Sequence, residues 1–196
     1  MVQTPTRYIT QEAFEQVCLE HPDRMFERTA QGELVEMAPV GSAGGSQEAD
    51  FIIDLGIWNR KTKLGKVFSS QSGFRLPIGS TRAPDAAWVA IERWNALTPE
   101  QQIGFAPICP DFVIELRSQS ISEGKIKPQS LEELRSRMME YVASGLRLGW
   151  LINPQNQQVE IYRAGRAVEV VSMPVMLSGE AVLPGFELSV SASGDL

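Results

Sequence analysis

Hydrophobic positions change period several times along the chain, and each change marks an element. Behind Thr10, a residue type suited to capping, Phe14, Val17 and Cys18 fall on one side of a short helix. Residues 24–37, RMFERTAQGELVEM, alternate on both sides of AQG and predict a β-hairpin. The glycine- and serine-rich APVGSAGGSQ that follows predicts a loop. Ala49, Ile52, Ile53, Gly56 and Ile57 then recur at helical spacing, so a helix is expected from about Gln47 to Lys63, with Gly65 placed to end it.

Beyond this helix the period shortens. KVFSS and GFRLPI predict two short strands joined at QSG, and APDAAWVAI is apolar enough after Asp85 for a strand buried on both faces. Thr98, Pro99 and Gln101 in TPEQQ form a capping box that opens a short helix. A second buried strand runs from Phe112 to about Arg117, and the polar, irregular stretch 119–130 predicts a mobile loop. Leu131, Leu134, Met138, Tyr141 and Val142 mark an amphipathic helix ending at Gly145. GWLI gives another strand, VEIYR and AVEVV a hairpin around Ala164-Gly165, and LPGFELSV an edge strand. With no internal repeat, the expected architecture is α+β (α/β-like): one domain over residues 1–196 with a mixed central sheet flanked by helices.

Composition narrows the chemistry. At 196 residues with 43% hydrophobic and 21% charged positions, the chain has the profile of a folded globule. No apolar run approaches the roughly 18 residues of a membrane span, and MVQTPTRYIT lacks the features of a signal peptide, so a cytoplasmic location is expected. Two cysteines, Cys18 and Cys109, are too few for a disulfide framework or a four-ligand zinc site. The single histidine, His21, sits in the turn-like HPDR, which argues against triads, paired-imidazole ribonucleases and histidine-based zinc sites. A net charge of -6 argues against broad nonspecific DNA coating but not against a local basic groove. GSAGGS lacks the spacing that cradles phosphate. Trp88 and Trp150 read as core residues.

What remains is carboxylates, cations and a hard metal ion. Asp85 opens one apolar strand and Glu115 interrupts the other, where an unpaired carboxylate is expensive to bury. If those strands pair, the two acids converge on one divalent cation, since hard ions take oxygen ligands. Arg117, two residues beyond Glu115, is expected on the same face. Taken singly, Glu115 and Arg117 read as well as a strand-edge ion pair, and Asp85 after Pro84 as a turn residue.

The series RAPDAAWV, CPDFVIELRS, LRSRMMEYVASGLRLGWLINP and VEIYR resembles the Uma-two family, proteins common in cyanobacteria and related to restriction endonucleases of the PD-(D/E)xK type. The resemblance implies a restriction-endonuclease-like core with additional hairpins, a Mg2+ (or Mn2+) ion held by Asp85 and Glu115, and DNA as substrate. It sets Arg117 in the place of the ExK lysine and Arg137, four residues before Tyr141, in the place of a helix lysine. A further acidic ligand often comes from the preceding helix, and Glu48 is the candidate. Ile121 stands where the family commonly carries an Asp, while Lys125 and Lys127 lie nearby as substitutes for the missing lysine. Arg60, Lys61, Lys63 and Lys66 read either as phosphate contacts or as charges matched to the helix dipole. The expectation is a magnesium-dependent DNA endonuclease; the alternative is a nuclease fold without turnover, serving as a nucleic-acid-binding or assembly module. Residues 159–171 offer an edge through which a homodimer could form.

Overall fold

Thr10 caps the first helix as its sequence requires, its hydroxyl accepting from the Ala13 N–H at 3.2 Å. A computed structural model describes residues 8–122 and 125–191 of the chain. In it, α1 (Gln11–Glu20) buries Phe14, and β1 (Phe26–Arg28) and β2 (Leu34–Glu36) form the expected hairpin. The long α2 (Ser42–Thr62) is followed by β3 (Gly65–Ser69), β4 (Phe74–Arg75), β5 (Thr81–Arg82) and β6 (Ala86–Ala90). Two short helices, α3 (Ile91–Asn95) and α4 (Pro99–Ile103), lead to β7 (Phe112–Leu116). Thereafter come β8 (Gln119–Ser122), β9 (Lys125–Pro128), α5 (Leu131–Ala143), β10 (Leu148–Asn153) and β11 (Gln158–Arg163). The last strands are β12 (Glu169–Ser172), β13 (Val175–Ser178) and β14 (Glu187–Val190).

The main sheet has six strands in the order β12-β11-β10-β7-β6-β3. Its β7–β10 pair is parallel and the others antiparallel, so the sheet is mixed, and α5 forms the crossover that a parallel pair needs. Both faces are covered, which explains why β6, β7 and β10 read as near-continuous apolar runs. One face, with Trp88, Ile114 and Trp150, packs against Phe51, Leu55 and Trp58 of α2 and against Leu177 and Leu188 of the β13–β14 pair. The other, with Ala87, Val113 and Leu151, packs against Leu134, Met138 and Tyr141 of α5. A separate four-stranded sheet has the order β2-β1-β5-β4. Among the described residues no helix is long and apolar enough to cross a membrane.

Several boundaries differ from the sequence reading, each for a packing reason. The glycine-rich stretch is helical from Ser42, five residues earlier than expected, because its glycines let the helix start approach the strand end. A Cβ on Gly44 would stand 3.0 Å from Ser118 Cβ, and the Gly41 N–H donates to the Gln119 carbonyl at 3.1 Å. The stretch expected as a mobile loop contains the β8–β9 hairpin, closed at its base by the Gln129 N–H on the Ser118 carbonyl at 3.0 Å. KVFSS joins the main sheet while GFRLPI contributes only β4, to the smaller sheet. LPGFELSV supplies β14, which pairs only with β13 in a separate two-stranded sheet among the described residues and buries Leu188 and Val190 over the core.

Helix α2 ends on Lys63, whose φ of 58° is left-handed, so Gly65 is not its cap. Gly65 is needed for space: a Cβ there would lie 2.3 Å from the Val89 carbonyl oxygen and 2.4 Å from Trp88 Cε2. Asn59 fastens the same point, bridging the Gly65 N–H, the Gly65 carbonyl and the Trp88 Nε1–H. Gly65→Ala is therefore expected to lower unfolding free energy by about 1–3 kcal/mol in urea denaturation, since neither main chain nor indole can yield cheaply. Parent-like stability would show that the contact is loose.

Candidate active site

The β6–β7 register pairs Ala86 with Ile114 and Ala87 with Val113. Continued by one residue, it sets Asp85 opposite Glu115, and directly opposed residues share a face. That face carries Ala87 and Val113 and lies under α5. Glu115 is 1% exposed and Asp85 partly buried. The Leu116 N–H donates to Asp85 Oδ2 at 2.6 Å, tying the first acid to the strand that carries the second.

Helical spacing supplies the partners. Leu134, Arg137, Met138 and Tyr141 recur every three to four residues and form the buried face of α5. The Tyr141 hydroxyl donates to Glu115 Oε1 at 3.0 Å, and Arg137 Nη2 lies 3.4 Å from the same oxygen. Arg137 Nη2 also donates to Glu27 Oε1 at 2.7 Å. Glu27, itself 1% exposed, takes the Ala83 N–H on Oε1 and the Arg82 Nη1–H on Oε2, both at 2.9 Å. Arg82 completes the chain with two bonds to Glu140, at 2.7 and 2.9 Å.

Among the described residues, Glu27, Asp85, Glu115 and Glu140 of this cluster face Arg82 and Arg137, an excess of two negative charges there when all are ionised. The surplus falls on the central pair. Burial, then the neighbouring Glu115, hold the Asp85 carboxyl well above the usual carboxylate range, with the Leu116 N–H and Arg137 pulling the other way and Glu48 adding to the rise. Burial also raises Glu115, against the opposing pull of Arg137 and the Tyr141 hydrogen bond. Burial and the Glu115 charge hold the Tyr141 hydroxyl protonated far above its ordinary range, so it acts here as a donor.

The other expected site residues are placed less centrally. Strand β7 ends at Leu116, and Arg117 turns to donate to the Gln129 carbonyl at 2.9 Å and to Asn153 Oδ1 at 3.4 Å. Glu48 is half-buried on the first half of α2, close enough to Asp85 to act on its charge. Among the described residues no group of three or more His, Cys, Asp or Glu side chains is gathered as a metal site. The side chains of Ile121, Lys125 and Lys127 lie outside the described residues. A cavity of about 690 Å³ lies beside Cys18, Phe68 and Trp94, and none of the site carboxylates lines it.

Sequence reasoning missed Glu27, Arg82 and Glu140. The one available signal was the alternation of the first hairpin, which puts Glu27 on the inward side between partly exposed Phe26 and Arg28.

The same architecture occurs in a crystal structure from Anabaena variabilis described as a "putative nuclease belonging to DUF820". The two superpose with a TM-score of 0.73 at 19% sequence identity, covering 94% of this chain and 95% of that one. The two chains thus share one mixed α+β fold. More particularly, the chain belongs to the Uma2 family, described as "Putative restriction endonuclease", whose sequence pattern matches residues 11–191. No curated protein matches the chain.

Two stability measurements check this electrostatic arrangement. Glu27→Ala leaves Arg82 and Arg137 without their shared buried partner and is expected to cost about 3–5 kcal/mol in chemical denaturation, with Glu27→Gln intermediate. For Asp85 the sign is reversed. Its folded carboxyl titrates above its unfolded one, so its contribution is lost as pH rises from about 4. Without added metal, Asp85→Asn should melt about 2–4 °C higher than the parent at neutral pH, the shift of about 1 kcal/mol, and near the parent at about pH 4. A variant that melts lower at neutral pH would contradict the charge surplus.

Proposed function

We propose that the protein is a magnesium-dependent phosphodiesterase that hydrolyses DNA, with Asp85 and Glu115 holding the ion and Mn2+ able to replace it. The observation that carries this reading is the opposed carboxylate pair, Glu115 buried and Asp85 partly so, which the cations among the described residues leave short of positive charge. The donor set suits a hard cation. Asp85 engages the protein through Oδ2 and Glu115 through Oε1, so Oδ1 and Oε2 lie outside those bonds. Glu48 adds negative charge and is the candidate for a third, more distant ligand.

A bound divalent ion supplies charge neutralisation at the scissile phosphate and activation of the attacking water. Arg137, charged at any relevant pH, orients a phosphate oxygen and stabilises the charge that grows in the transition state, but it accepts no proton. Glu27 keeps that guanidinium in place, and Tyr141 steadies Glu115 by donating to it. Arg117 joins as the second phosphate-binding cation from the end of β7.

One observation favours a second reading, a nuclease fold without turnover that binds nucleic acid or assembles with other proteins. The arginines standing in both lysine places are already held by protein acceptors: Arg137 by Glu27 and Glu115, and Arg117 by Gln129 and Asn153.

Supercoiled, linear and single-stranded DNA incubated with manganese, beside Glu115→Ala and Asp85→Asn, separates the readings. The hydrolase reading predicts cleavage by the parent and none by either variant. Equal cleavage by all three would reveal a contaminant, and an inactive parent would favour the second reading. In a parallel melt, ion at a hundredfold excess over its Kd should stabilise the parent by about 2.7 kcal/mol and either variant far less.

A further inference from the structure

The outer face of α2 carries an apolar stripe that no described residue covers. Phe51, Leu55 and Trp58 bury one side of the helix, while Ile53 and Ile57, one turn apart on the opposite side, are 54% and 46% exposed. Ala49 before them and Leu64 after them continue the exposed stripe.

Gly56 lies beside that stripe, in the interior of a 21-residue helix. A glycine there costs about 1 kcal/mol relative to alanine. Nothing among the described residues requires it, because a Cβ at Gly56 would meet none of their atoms within 4 Å. A second helix approaching closely would give the missing side chain a reason.

Charge indicates which helix. The first half of α2 carries Asp50 and Asp54, and its end carries Arg60 and Lys61. The helix is therefore complementary to itself when reversed. A two-fold axis at the level of residue 55 sets Ile53 of one copy against Ile57 of the other, and Asp50 against Arg60, both ways at once.

We infer that two copies of this chain pair through antiparallel packing of their α2 helices, centred on Ile53, Gly56 and Ile57. The interface lies on the side of α2 away from the carboxylate face, so pairing leaves Asp85 and Glu115 uncovered. It differs from the β12 edge of the main sheet, the surface that the hairpin at 159–171 offers.

Sedimentation equilibrium of the full chain over rising concentration tests this. The weight-average mass should climb from 21.7 kDa towards twice that value. Ile53→Glu/Ile57→Glu, at exposed sites and with an unchanged circular dichroism melt, should stay at the monomer mass. Arg60→Asp should raise the midpoint concentration about tenfold by setting like charges together, and Asp50→Arg/Arg60→Asp should restore it. A parent that remains at the monomer mass throughout overturns the inference. So does association that survives Ile53→Glu/Ile57→Glu, including association abolished instead by Val170→Lys on β12.

Discussion

A carboxylate buried on a three-residue strand ties the candidate site together. Glu27 accepts from the Ala83 main chain, two residues before Asp85, and from the guanidiniums of Arg82 and Arg137. A charge so deeply buried is tolerated only when every partner is in place, so the bonds to Glu27 constrain one another. They join the hairpin sheet, the segment entering β6 and the helix over β7. Because the two guanidiniums are shared with Glu140 and Glu115, the cluster remains two positive charges short among the described residues. Asp85 and Glu115 bear that deficit.

Packing places the deficit at one end of the main sheet. Glu115 lies near the end of β7 and Asp85 just before the antiparallel β6, which brings both to the same edge. The start of α2 and the β8–β9 hairpin meet there through Gly41, Gly44 and Gln119. The interior away from this end is filled by aromatic and branched side chains, with Trp150 perpendicular to Phe112 at 4.7 Å and stacked on Phe186 at 6.1 Å. A close-packed interior of this kind fixes where the polar end can form.

Asp85 and Glu115 drew attention in the sequence because each breaks an apolar run, and the two breaks together, more than either singly, set them apart from an ion pair or a turn. The long helix bearing Arg137 was legible from its period, and Thr10, Thr98 and Gln101 announced their caps. Glu27, Arg82 and Glu140 were not. Nothing in their local spacing pairs them, and only the meeting of β1 with the two-residue β5 brings Glu27 and Arg82 together beneath Glu140 as a buried relay. Arg117 lies one residue past the end of β7, where the chain turns towards Gln129, so strand alternation alone does not set its direction. The glycines before Gln47 misled for a related reason: their freedom suits a loop locally, yet close contact with Ser118 uses their small size inside a helix.

Proton-linked binding of Mn2+ tests the central claim most directly, that Asp85 and Glu115 form one coupled pair awaiting a divalent cation. Calorimetric titration at about pH 6, in buffers of different ionisation enthalpy, counts the protons released as the ion binds. One ion per chain with net proton release, both lost in Asp85→Asn and Glu115→Gln, is the predicted result. No binding, or binding that persists unchanged in both variants, would contradict it.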